Sequence, residues 1–264
     1  MTFLCRAPLA AAILLAAGRL AYGADTLTPG RTLAAHVIDA PDTPLQLDMD
    51  AGTAADLRIE QREGTVDVTL EGGGFAPVTI RSEAGRGGRL TTVVIGSTGA
   101  PLVLRVTPRG RRATLDLSLG VARPGSETDR QRAQAFRQFA AAEQLRRQHY
   151  REEAVKTRTP AIDQQTRELY AAAGTAFDGA QDPCGARLTR IGEARMEVAA
   201  GGYTRARTLI DTILHAPCDG DFAEQAQAFK TLGMAAAYQG DFAQSAEADE
   251  AALDLYRRTG DLFY

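Results

Sequence analysis

The sequence predicts a chain of mixed β plus α class. An N-terminal antiparallel β-sandwich or jelly roll spans residues 24–122, and an α-helical solenoid spans residues 126–264. Three observations carry this. Apolar residues alternate with period two between residues 45 and 119, as half-buried strands require. After residue 126 the period lengthens to that of an amphipathic helix, and Ala, Glu, Gln and Arg, the good helix formers, take over. Finally, Gly201-x-Tyr203-x-x-Ala206 recurs as Gly240-x-Phe242-x-x-Ser245 at an offset of 39 residues, and Ile213-Leu214 recurs as Ala252-Leu253. A fixed period in this range marks stacked helical hairpins.

The first 23 residues stand apart from both halves. Arg6 supplies a positive n-region, residues 7–17 an apolar run of h-region length, and Ala21-Tyr22-Gly23 small residues before a cleavage point. The expectation is a Sec-type signal peptide over residues 1–23 and a periplasmic or secreted mature chain. Gly18 and Arg19 interrupt the run, which falls short of the roughly 20 apolar residues a membrane span needs. Cys5 precedes the apolar run, which argues against a lipidated cysteine.

In the β half the alternating runs are Leu45-x-Leu47-x-Met49, Leu57-x-Ile59, Val66-x-Val68-x-Leu70, Val78-x-Ile80, Val93-x-Ile95, Leu102-x-Leu104-x-Val106 and Leu115-x-Leu117-x-Leu119. Glycine-rich turns separate them, and about eight short strands are expected. Gly72-Gly73-Gly74 and Gly85-Arg86-Gly87-Gly88 lack the strand–loop–helix setting of a phosphate cradle, so they read as hairpin turns.

Arg123-Pro124-Gly125 is the hinge. Ser126 with Asp129 forms a capping box for the first helix, whose stripe of Ala133, Phe136, Phe139, Ala140 and Leu145 faces a partner. Its arginines are interleaved with Glu143, Glu152 and Glu153, which indicates a solvated face and not a nucleic-acid patch. Thr159-Pro160 and Asp182-Pro183 each start a helix with proline at the first helical position, where its missing N–H costs nothing. The stretch 221–260 then reads as two helices. Asp221 and Asp241 cap them, and Gly240 and Gly260 stop them.

That last stretch resembles a tetratricopeptide repeat (TPR). Phe229, Leu232-Gly233, Gly240-Asp241-Phe242, Ser245 and Ala252 meet the family's pattern, while Ala236 stands where an aromatic is usual and Asp249 where a large apolar residue is usual. The resemblance implies a helical solenoid that binds protein and has no chemistry of its own. A second resemblance covers nearly the whole mature chain. Ala55-Asp56-Leu57-Arg58-Ile59-Glu60-Gln61, Thr65-Val66-Asp67-Val68-Thr69-Leu70 and the later Thr128-Asp129-Arg130-Gln131-Arg132-Ala133 look like segments of exported bacterial proteins. In these a pre-peptidase-like β-sandwich precedes TPRs and often a caspase-like CHAT domain. No protease-like domain follows in this sequence, so that domain's cysteine–histidine machinery has no position to be carried onto. The final Asp261-Leu262-Phe263-Tyr264 puts three large apolar residues where a finished solenoid needs a polar cap. A solenoid incomplete at its C-terminus is expected, with docking of the tail on the last hairpin as the alternative.

Beyond the leader two cysteines remain, Cys184 and Cys218, an even pair in an oxidising compartment. In an antiparallel helix pair, the start of the first helix and the end of the second lie together, so a disulfide is geometrically reasonable. Two unpaired small hydrophobes are the alternative reading. The net charge of −3 suggests no nucleic-acid partner, and 28 arginines against 2 lysines reflect codon bias more than chemistry. His36, His149 and His215 are scattered, and no nucleophile elbow, Walker loop or zinc-ligand spacing occurs. Neither catalysis, cofactor, metal nor membrane span after signal cleavage is expected. The function expected is an exported scaffold that binds a peptide or partner protein, with Arg187, Arg190, Gln225, Lys230 and Gln239 as candidate contacts from helix phase. The alternative is the non-catalytic N-terminal region of a larger CHAT-type protease or signalling protein.

Overall fold

The computed structural model describes residues 25–39, 43–73, 75–81, 87–98, 101–149, 159–214, 218 and 222–259. The expected signal peptide, the cap at Asp221, the stop at Gly260, His215 and the tail 261–264 lie outside the described residues. Among the described residues, ten strands precede six helices, a mixed β plus α class.

The strands form two five-stranded sheets. The first runs in the order β1 (Asp25–Leu27), β3 (Thr43–Leu47), β8 (Leu102–Pro108), β5 (Val66–Gly72) and β6 (Phe75–Arg81). It is antiparallel except that β1 lies parallel to β3. The second is built around the eleven-residue β4 (Thr53–Glu63). β4 pairs with β7 (Arg89–Ile95), with β9 (Ala113–Leu119) and, at Thr53 and Ala54, with β10 (Arg123–Pro124); β2 (Thr32–Ile38) pairs with β9. Alternation decides which side each residue buries. In β9, Leu115, Leu117 and Leu119 are buried while Thr114, Asp116 and Ser118 are only half-buried. The inward residues of both sheets share one core, centred on Leu27, Leu57, Leu104 and Leu117. The strands beyond the eight expected include β1 and β10, only three and two residues long and too short to show a period. β5 and β6 form the expected hairpin, with Gly72 at φ +92° and Gly73 at φ +66°, where a side chain would be strained.

The helices are α1 (Glu127–His149), α2 (Pro160–Gly179), α3 (Pro183–Ala199), α4 (Tyr203–Leu214), α5 (Phe222–Tyr238) and α6 (Phe242–Thr259). Their starts follow local chemistry. The Asp129 amide donates to Ser126 Oγ at 3.1 Å and the Ser126 amide to Asp129 Oδ2 at 3.0 Å, a reciprocal capping box. Thr159 caps α2, Asp182 caps α3 and Asp241 caps α6. Gly201 and Gly240, at φ +82° and +81°, turn the chain out of α3 and α5. The 39-residue recurrence reaches the element boundaries: α3 and α5 end at Ala199 and Tyr238, and α4 and α6 begin at Tyr203 and Phe242.

Each helix packs on the next, α1 also packs on α3, and α3 on α5. Between α2 and α3 the approach is close because Gly185, Thr189, Gly192 and Met196 form one stripe at helical spacing. Gly185 lies against the Phe177 ring and Gly192 against the Tyr170 ring.

α1 also closes the sandwich. It packs across β6 and β7, where Phe136 joins Leu57, Ile59, Val68 and Leu104 around a narrow apolar seam. Ile80 of β6 belongs to the same buried cluster as Phe139, Tyr170 and Phe177. Ion pairs span this junction. Arg123 reaches Asp56 at 3.0 Å and Asp129 at 2.6 Å, and Arg132 reaches Asp56 at 3.2 Å and Asp182 at 2.8 Å. At the far end of the array, Thr259 closing α6 lies against Gly87, beside the start of β7.

Candidate functional site

The alternate helices α1, α3 and α5 carry a polar seam across their packed sides. Glu143 of α1 is buried, yet it accepts from Arg146 Nη2 at 2.8 Å and from the buried Tyr170 hydroxyl of α2 at 2.6 Å. Burial alone would raise its pKa. The Arg146 charge and hydrogen bonds outweigh burial, with Arg195 and Arg147 adding to them, and hold the carboxyl at about 2. Arg195 of α3 then donates to Gln227 Oε1 of α5 at 2.6 Å. This chain of charge and hydrogen bonds links four helices.

From Gln227, α5 turns its exposed side outward. Lys230, Met234 and Tyr238 follow at i+3, i+7 and i+11, one stripe of the helix. Met234 is 44% exposed and Tyr238 64% exposed, large values for apolar side chains. Tyr238 also stacks on Tyr203 with ring centroids 5.2 Å apart. Met234 and Tyr238 were not singled out from sequence, although the signal was there: both share the helix phase of Lys230.

The five residues expected to contact a partner do not share one surface. Arg187 is only 5% exposed, its guanidinium 3.3 Å from Glu224 across the α3–α5 contact, so it faces the interior and offers no docking group. Arg190 points the other way and pairs with Asp178 of α2 at 2.9 Å. Gln225 and Lys230 lie about 140° apart around α5, so one helix face cannot present both. Gln239 is held between Arg207 Nη1 and Thr204 Oγ1 at 3.0 and 2.9 Å. Lys230 alone lies on the exposed stripe.

Cys184, at the start of α3, and Cys218, in the α4–α5 connection, are joined as a disulfide with Cα atoms 5.5 Å apart. His36 sits on β2 opposite Leu115, remote from both. Among the described residues, no group of three or more His, Cys, Asp and Glu is arranged to hold a metal ion. No helix there is long and apolar enough to cross a membrane.

The recurrence also compares one hairpin with the next. Ile191, Ala206 and Ile210, buried where α5 leans on α3 and α4, become Lys230, Ser245 and Asp249 39 residues on. Tyr203 becomes Phe242, which is 72% exposed.

No family model matches the chain, and no curated protein matches it. Among solved structures, one similar chain is the Podospora anserina GH26-CBM35 β-(1,4)-mannanase, at 16% identity and a TM-score of 0.23. That likeness covers 84% of this chain and 64% of that one, so this chain spans less than two thirds of its length. At that score the likeness carries no argument about fold or function.

Proposed function

We propose that this chain is an exported interaction scaffold that receives a peptide or partner protein on TPR-like helix pairs and performs no chemistry itself. What carries the reading is the α5 stripe of Lys230, Met234 and Tyr238. Two large apolar side chains stand exposed beside a charge there, on a helix fixed to its neighbours by packing and by the Arg195–Gln227 bond. Exposed apolar anchors with a polar margin on rigid elements are the usual make-up of a docking surface. A photo-crosslinking residue placed at 234 or 238 tests this in periplasmic extract, with the exposed Val37 of β2 as the control position. Adducts from 234 and 238 and none from 37 are expected, and the adduct from 234 should be lost on Tyr238→Glu. Equal labelling from 37, or none from α5, would sink the reading.

A second reading has one observation in its favour. Tyr203 is covered by Tyr238 of the following helix pair, and Phe242 holds the equivalent place uncovered. A further pair would cover it, as in the non-catalytic N-terminal region of a larger CHAT-type protein. Lys230 and Asp249 weigh against that stacking. Sequencing the downstream DNA separates the two.

A further inference from the structure

We infer that the cleft between the sandwich and the last helix pair binds a ligand carrying two or more carboxylates, with Arg258 as the receiving group. The cleft holds about 410 Å³, within the range of small-ligand sites, and its walls include Glu60, Arg62, Arg89, Phe222, Arg258 and Thr259. One wall is local strand geometry. Alternation along β4 buries Leu57 and Ile59, so Arg58, Glu60 and Arg62 stand on the opposite face. Register puts Arg89 of β7 directly across from Glu60. The other wall is the start of α5 and the end of α6.

The three arginines of this cleft are not in equivalent states. Arg62 is forked onto Asp116, and Arg89 lies 3.8 Å from Glu60. Arg258 instead lies over the Phe222 ring with its guanidinium carbon 4.2 Å from the centroid, and no carboxylate among the described residues pairs with it. A guanidinium stacked on a phenyl ring keeps its N–H edge in plane and directed outward, which is the edge that grips a carboxylate in two parallel bonds. Stacking also limits the rotamers to be frozen on binding. A solvated arginine on a helix end is ordinary. This one stands on a cleft wall with two further guanidinium groups and one lining acid, where walls of low dielectric focus the field on an incoming anion. A second acid group on the ligand would answer the sandwich arginines. Phe222 and Tyr238 are about 24 Å apart along α5, so this site is separate from the exposed stripe and does not depend on it.

The ligand's source is either an acidic segment of a partner or a free polycarboxylate, and the probes distinguish them. Fluorescein-labelled hexaglutamate and citrate are each titrated into the full chain at low salt, with hexalysine as control. Binding of hexaglutamate alone assigns an acidic segment. Binding of citrate, with displacement of any bound hexaglutamate, assigns a free polycarboxylate. In either case Arg258→Gln should weaken binding about tenfold or more, the scale of one charge-assisted contact. Arg258→Lys, which keeps the charge and loses the fork, should fall between. Arg258 is exposed, so both variants should keep the wild-type melting temperature. Absence of binding by both anions, binding of hexalysine, or equal loss from Arg31→Gln, an exposed arginine beside Leu119 at the opposite end of the β4–β9 pairing, would each overturn the assignment.

Discussion

Glu143 shows how a single charge is made tolerable inside the helical half. Removing a carboxylate from water is costly, and here Arg146 and the Tyr170 hydroxyl repay that cost with charge and hydrogen bonds. Breaking such a pair strands the partner, so Glu143→Gln is expected to destabilise the fold by on the order of 3 kcal/mol at neutral pH. The pH dependence has a definite sign. The folded carboxyl sits near 2, against an ordinary value of 4.5. Its stabilisation is therefore complete above pH 4.5 and drains away as the pH falls toward 2. Thermal melts from pH 7 to pH 3 should show the wild type losing more stability below pH 4.5 than Glu143→Gln; parallel curves would refute this. Gly192 makes a steric case at the same scale. A methyl group there meets the Tyr170 ring, itself buried and hydrogen-bonded to Glu143. Gly192→Ala should cost roughly 1–3 kcal/mol in urea unfolding although alanine favours helix, and a gain in stability would contradict the packing described.

At the level of elements, the disulfide and the repeat arithmetic act on the same helix pair. Cys184–Cys218 closes a loop across 34 positions of sequence that contains all of α4. By the chain-entropy model such a closure is worth about 3–4 kcal/mol. Cys218→Ser should lower stability by about that amount under oxidising conditions, and reductant should then have no further effect on the variant. A reductant-sensitive melting temperature in Cys218→Ser would contradict this. The two hairpins share boundaries at a 39-residue spacing but differ in what they offer a neighbour. Ile191 and Ile210 present an apolar surface to α5, whereas Lys230 and Asp249 present a charged one. Spacing makes the hairpin, and side-chain chemistry decides whether another can follow.

Across the whole molecule, α1 belongs to both halves. Its Phe136 completes the core of the sandwich while Phe139 and Ala140 join Tyr170 and Ala173 in the helical core. The Asp56–Arg123–Asp129 and Arg132–Asp56 pairs span the same junction, but all of their members except Asp129 are partly exposed, and such pairs are worth little singly. Apolar packing is therefore the main coupling. Phe136→Ala should cost about 3–5 kcal/mol and split one calorimetric transition into two. A single transition at the wild-type temperature would mean the halves are joined elsewhere.

Most strands, the Ser126–Asp129 capping box and the helix stop at Gly240 were legible in the chain because each is a local matter. Period two needs only neighbouring residues, Ser126 and Asp129 need only their own turn, and Gly240 needs only its own φ. The glycine stripe of α3 was equally local and went unnoticed, since glycine carries no apolar signal. Which charges face inward was another matter. Helix phase placed Arg187 among docking residues, and only the position of α5 shows that Glu224 covers it. The cleft at Arg258 joins residues 60–62 to residues 222 and 258, a separation at which no pattern in sequence operates. It exists because the helices pack in succession from β6 and β7 and bring the end of the last one back beside the start of β7.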